Sequence, residues 1–257
     1  MENLSALQYV AIALLFAWSG FVRSGLGFGG AVLVLPFLLL IVNDLLVFLP
    51  LIAVHQILFG IWVPLRGRIQ GTAGQHIGGA DWAYLRRALP WILPLSLLGV
   101  LGLLTLPPRV MSAIVYLIVI AYALGYVFNR PVRSSTPASD SALLMLGGYF
   151  SGSSMIGGPL MVAVFASHVE RERLRDTMIA TWLILVSIKL VSFVAAGVDL
   201  QLMHHLWLLP CVLGGQFAGE KLHDWLLAAD ASRFYRALGL VLLLTCLVGL
   251  SSSLRLA

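Results

Sequence analysis

The residues with the most chemistry to offer lie in two glycine-rich stretches. The first is Gly20-Phe21-Val22-Arg23-Ser24-Gly25-Leu26-Gly27-Phe28-Gly29-Gly30-Ala31. The second is Gly148-Tyr149-Phe150-Ser151-Gly152-Ser153-Ser154-Met155-Ile156-Gly157-Gly158-Pro159. Neither contains an acid. Their polar groups are main-chain amides, the hydroxyls of Ser24, Ser151, Ser153 and Ser154, and the Arg23 guanidinium, which are hydrogen-bond donors suited to an oxyanion. Gly25, Gly27, Gly29, Gly30, Gly152, Gly157 and Gly158 let a ligand approach the main chain closely. Helices beginning after Gly30 and Gly158 would turn their amino ends, with their partial positive charge, toward the same place. A second cation, Lys189, interrupts the apolar run 176–196. A cation at membrane depth is costly and points to a function by default. Two cations point to an anionic ligand.

Each of these residues also has a plainer reading. Glycines and serines pack membrane helices closely. Arg23 can snorkel to an interface, and Lys189 can bond main-chain carbonyls or Asp199. His55 and Gln56, inside a long apolar run, and Gln216, beside Gly214-Gly215, are candidates for proton coupling or a polar pathway. A satisfied buried histidine competes with that role for His55.

Other chemistries fail on spacing. No Lys-Ser/Thr follows Gly29-Gly30 or Gly157-Gly158, and Gly25-Leu26-Gly27-Phe28-Gly29 lacks the dinucleotide spacing. Cys211 and Cys246 form no metal or disulfide pattern. His204-His205 are adjacent and cannot share one helix face. An intramembrane serine hydrolase would want GxSG, whereas Tyr149-Phe150-Ser151-Gly152 lacks the first glycine. No cofactor, metal, nucleic acid or enzymatic activity is expected. An intramembrane hydrolase and a passive anion channel stand as the alternatives to a carrier.

The elements that must position these groups are membrane helices. Of 257 residues, 60% are hydrophobic and 11% charged, with mean hydropathy +0.97. Soluble domains carry roughly 25% charged residues, so lipid must cover most of this surface. A crossing takes about 20 apolar residues. Apolar segments fall near 4–22, 31–42, 45–64, 88–106, 110–128, 142–150, 159–167, 176–196, 202–219 and 234–253. Those at 31–42, 142–150 and 159–167 are too short to cross as straight helices. The start, Met1 to Ser5, has no basic stretch, so a cleavable signal peptide is not expected. Trp82, Trp91, Trp207 and Trp225 fall near the ends of apolar runs and read as interfacial anchors.

The two glycine stretches are 128 residues apart, with Gly20, Gly29 and Gly30 matching Gly148, Gly157 and Gly158. After each come a short apolar run, a polar break and three long ones. This predicts an all-α polytopic membrane protein of two inverted repeats, residues 1–128 and 142–257, joined by a cytoplasmic linker, 129–141. Each repeat would hold a glycine-tipped broken-helix hairpin and three transmembrane helices. With hairpins, loops 65–87, 129–141, 168–175 and 220–233 share one side. They and the helix start at Arg236 carry twelve of the basic residues, against Arg109 and Arg255 opposite. The crowded side is then cytoplasmic and both termini lie outside.

At the two stretches the sequence resembles the sulfite exporter TauE/SafE family. Gly27-Phe28-Gly29-Gly30-Ala31, with Pro36 after it, is similar to that family's GxGGG-like motif. Met155-Ile156-Gly157-Gly158-Pro159 is similar to a degenerate second copy, with Met155 in place of the leading glycine. The resemblance implies a plasma-membrane transporter of sulfite, sulfonates or related sulfur-containing anions, with a small anion and the lipid bilayer as partners and a homo-oligomer possible.

Overall fold

Main-chain amides in lipid must bond within their own segment, so long apolar runs fold as helices. The computed structural model describes residues 4–26, 30–69, 79–128, 132, 134–228 and 231–255. Those residues form α1 (Ala6–Leu26), α2 (Ala31–Ile41), α3 (Leu45–Ile69), α4 (Trp82–Thr105), α5 (Pro108–Val127), α6 (Pro137–Ser154), α7 (Gly158–His168), α8 (Arg171–Ala195), α9 (Leu202–Ala228) and α10 (Ala231–Arg255), with no strand among them. Among the described residues, five segments are long and apolar enough to cross a membrane: Ala6–Ser24, Leu45–Trp62, Trp82–Thr105, Pro108–Val127 and Arg171–Ala195. Large apolar side chains stand exposed along them, among them Leu98 and Leu101 on α4 and Val191 and Val194 on α8. Such faces suit a lipid solvent. This is a polytopic, all-helical membrane protein.

Local chemistry sets the helix starts. Asp44 and Asp81 accept the amides of Leu46 and Tyr84, at 2.8 and 3.0 Å. Thr136 and Ser139 form a reciprocal capping box before Pro137, satisfying two orphan amides at once. The apolar run 142–150 is therefore only part of α6, which has 18 residues. At 1.5 Å per residue it spans about 27 Å. It begins at its polar cap and continues through Ser151–Ser154, which stay helical.

The chain divides into two compact units, each built from separated stretches. The first takes Met1–Phe48, Leu106–Pro131 and Gln201–Ala257; the second takes Leu49–Thr105 and Val132–Leu200. In the first, α1 packs along α9 and α10 along α5, while α2 touches α1, α5 and α10. Eight of the eleven residues of α2 are buried, which is why it is apolar on every face. In the second, α4 packs along α6, with α7 and α8 against them. Its core includes Leu85, Ile92, Leu144, Met161, Phe165 and Leu185.

The two main helix pairs repeat one contact register. In the first unit a Cβ on Gly20 would overlap the Val212 carbonyl, and one on Gly219 the Phe21 carbonyl. In the second, Gly148 stands in the same way against Ile92, and Gly99 against Tyr149. Ser24 bonds the Gln216 carbonyl at 2.9 Å, and Gly152 abuts the Ser96 carbonyl. The α1 and α6 members of these contacts are 128 positions apart, and the α9 and α4 members 120. Both pairs are parallel, so one backbone-on-backbone packing occurs twice.

Candidate functional site

In the second unit, α6 and α7 form a hairpin with a three-residue tip. Met155 caps α6 in the left-handed conformation, φ 62°. Its amide bonds the Ser151 carbonyl at 3.1 Å, and the Ile156 amide bonds that of Phe150 at 3.4 Å. These bonds satisfy the last carbonyls of α6. Gly157, with no side-chain cap, then starts α7. A Cβ there would overlap both the Gly147 carbonyl and the Ser151 hydroxyl, so only glycine fits. The expected non-helical stretch thus shrinks to Met155, Ile156 and Gly157.

Ser151 lies against this amino end of α7. It is buried, and its hydroxyl has no hydrogen-bond partner among the described residues. The first-turn amides of α7 have no carbonyl four residues back, and Pro159 removes one of them. Ser153 and Ser154 are fully buried but turn back on their own helix. Both hydroxyls bond the Phe150 carbonyl, at 3.4 and 3.0 Å. Gly152 packs on α4, and Gly158 lies 3.1 Å by its ideal Cβ from the Trp182 indole. That contact sets the amino end of α7 over α8.

Two turns further along α8 comes Lys189. Thr177, Thr181, Leu185, Lys189 and Phe193 recur every four residues and are all buried, so they form one stripe. The Lys189 ammonium has no hydrogen-bond partner among the described residues. The nearest compensation is the Phe193 ring, 6.0 Å from Nζ to the centroid, at the limit of a cation–π contact. The expected alternative for Lys189, bonding to carbonyls or Asp199, is not what its surroundings show. Thr177 and Thr181 were missed in the sequence; their spacing ahead of Lys189 was the available signal.

The open end of the hairpin is tied shut. His168, ending α7, meets Asp140 of the first turn of α6 at 2.7 Å, and stacks on Tyr84 of α4 at 5.6 Å. A bond from Ser134 holds the Asp140 carboxyl below the usual carboxylate range; burial opposes it, and the His168 contact adds to the lowering. Beside them Arg173 bonds the carbonyls of Gly79 and Ala80, at 3.1 and 3.0 Å. Within this unit the starts of α4, α6 and α8 and the end of α7 therefore gather at one end.

The first unit brings together two residues singled out separately. Arg23 donates to the Gln216 side chain at 2.8 Å, and Gln216 is buried. Gln216 thus orients Arg23 without neutralising it. Ser24 is committed to the carbonyls of Gly20, at 3.0 Å, and Gln216. Gly25 lies in the last turn of α1. Gly30 starts α2 as Gly157 starts α7, with φ −60° and ψ −11° and no side-chain cap. Gly27 and Gly29 lie outside the described residues. His55, on α3 in the second unit, is buried and has an interaction of its own. The Gln56 carbonyl oxygen beside it is buried without a hydrogen-bond partner. No cluster of three metal-ligating side chains occurs among the described residues.

The second unit thus carries a broken-helix hairpin with buried donors unmatched among the described residues, an arrangement similar to that of polytopic transport proteins. The family model for the sulfite exporter TauE/SafE matches residues 12–249, nearly the whole chain. The chain belongs to the sulfite exporter TauE/SafE family. No curated protein and no solved structure matches it.

Proposed function

We propose that the protein is a secondary transporter of a small anion in the plasma membrane, and that sulfite, an organosulfonate or a related sulfur-containing anion is its cargo. The observation that carries the anion is the pair of buried donors in the second unit. The Ser151 hydroxyl abuts the amino end of α7 and the Lys189 ammonium lies on α8, neither with an acceptor among the described residues. A buried polar group left unmatched costs about 1–3 kcal/mol, more for a charge. A bound oxyanion would remove that cost for both. Half-helix amino ends aimed at an anionic group are a recurring transporter device. The sulfur comes from the family's description.

In this reading Arg23, Ser24, Gly25, Gly27, Gly29 and Gly30 contribute the first tip. Ser151, Gly157, Gly158 and Lys189 contribute the second, where Gly152, Ser153 and Ser154 hold α6 in place; His55 and Gln56 offer a polar pathway in the second unit, and Gln216 orients Arg23 in the first. The repeated order of helices and the shared register of the two helix pairs support a duplicated chain. The loop charges support a cytoplasmic linker and external termini.

Flux into proteoliposomes tests the proposal with sulfite, sulfoacetate, taurine and chloride. Saturable uptake of a sulfur oxyanion is expected, falling at least tenfold in Arg23→Ala. Absence of saturable anion flux in the unaltered protein, or full flux in Arg23→Ala, overturns it.

A further inference from the structure

We infer that Lys189 carries the proton that accompanies the anion, crossing as a neutral amine when the site is empty and as an ammonium when it is filled. The inference rests on the anion-transport reading and names the coupling group within the same site.

Lys189 is 2% exposed and lies deep in a 25-residue apolar span. Its nitrogen has no acceptor among the described residues. A buried ion without a partner costs several kcal/mol, and a free amine avoids most of that cost. Helices α4, α6 and α7 pack against α8. Their titratable groups are Tyr84, Arg86 and Arg87 at the start of α4, Asp140 at the start and Tyr149 within α6, and His168 at the end of α7. The charged groups of α8 itself, Arg171, Glu172, Arg173, Arg175 and Asp176, all precede Lys189 by 13 residues or more, about 20 Å along the axis. His55, Asp176 and Asp199 already have interactions of their own. None of these forms an ion pair with Lys189. Among the described residues no counter-charge is in place, and in this reading the ligand brings it.

Proton and anion then help each other, because linkage is reciprocal: whatever factor the anion adds to proton affinity, the proton adds to anion affinity. On one side, Lys189–NH2 takes a proton from water to form the N–H bond, and the ammonium holds the anion. On the other, the anion leaves, the N–H bond breaks and the proton returns to water. One proton moves with each anion. The Lys189 ammonium with a monoanion carries no net charge, and neither does the free amine, so filling and emptying the site leave the charge around Lys189 unchanged.

Taurine and sulfoacetate are suitable probes, since the sulfonate, and the carboxylate of sulfoacetate, stay ionised at neutral pH. In proteoliposomes at zero membrane potential, a one-unit pH gradient, acid outside, should raise accumulation of the transported sulfonate about tenfold at one proton per molecule carried, whatever the net charge of the probe. Lys189→Arg keeps a permanent charge and should still exchange internal for external sulfonate, while its pH-driven accumulation falls to onefold. Lys189→Met should lose binding of the sulfonate as well, with its thermal unfolding in detergent checking that it folds. Full pH-driven accumulation in Lys189→Arg or Lys189→Met overturns the role of Lys189 and leaves the transporter reading standing. Absence of any anion flux in the unaltered protein overturns both.

Discussion

Met155 shows two residue-scale effects in opposition. It holds a left-handed backbone, which costs a non-glycine residue about 1–2 kcal/mol, yet its side chain is only 5% exposed. Burying such a side chain contributes about 1.5–3 kcal/mol. The burial wins, which accounts for a methionine where the family motif has glycine. Removing the side chain exposes the strain. Met155→Gly loses packing but gains backbone freedom, whereas Met155→Ala loses packing and keeps the strain. The expected order of thermal stability in detergent is therefore wild type, then Gly, then Ala, with Gly about 1 kcal/mol above Ala. In an ordinary helix position Gly falls below Ala by a similar amount.

Between α1 and α9, and between α4 and α6, glycines set the separation of the backbones. Gly20 and Gly148 face carbonyls with no room for a Cβ, whereas Gly214 faces open space. Overpacking costs about 1–3 kcal/mol. Gly20→Ala and Gly148→Ala should each lower stability by about that amount, whereas Gly214→Ala, inside a helix with room for a Cβ, should raise it by about 0.5–1 kcal/mol. Unfolding midpoints of the three purified variants check the contrast. Equal effects at all three positions would refute the close-packing account. The glycine stretches were legible as special in the sequence. Their division was not, because Gly20, Gly148 and Gly152 serve helix packing while Gly157 serves the tip. Only the position of α4 and α9 separates those jobs.

For the whole molecule, the orientation we propose from the balance of Lys and Arg puts the linker in the cytoplasm and the turn between α4 and α5 outside. With Cys211 and Cys246 replaced by Ala, a membrane-impermeant maleimide applied to intact cells should label Leu106→Cys and leave Ser135→Cys unlabelled until the cells are opened. The reverse pattern would invert the orientation. In the second unit the starts of α4, α6 and α8 gather with the end of α7 around Asp140, His168 and Arg173.

The sequence by itself determined the solvent, the helical class, the pairing of the glycine stretches and the family. These follow from composition and from local spacing, which a chain carries wherever it folds. It also marked Arg23 and Lys189 as costly cations. Tertiary structure decided what surrounds each. Arg23 is oriented by Gln216, 193 residues away in the chain, and Ser24 is taken up by the same α9 turn. Ser151 and Lys189 keep their donors unmatched among the described residues. A hydrogen-bond partner is a matter of distance in space, and no spacing along the chain reports which buried donor finds an acceptor.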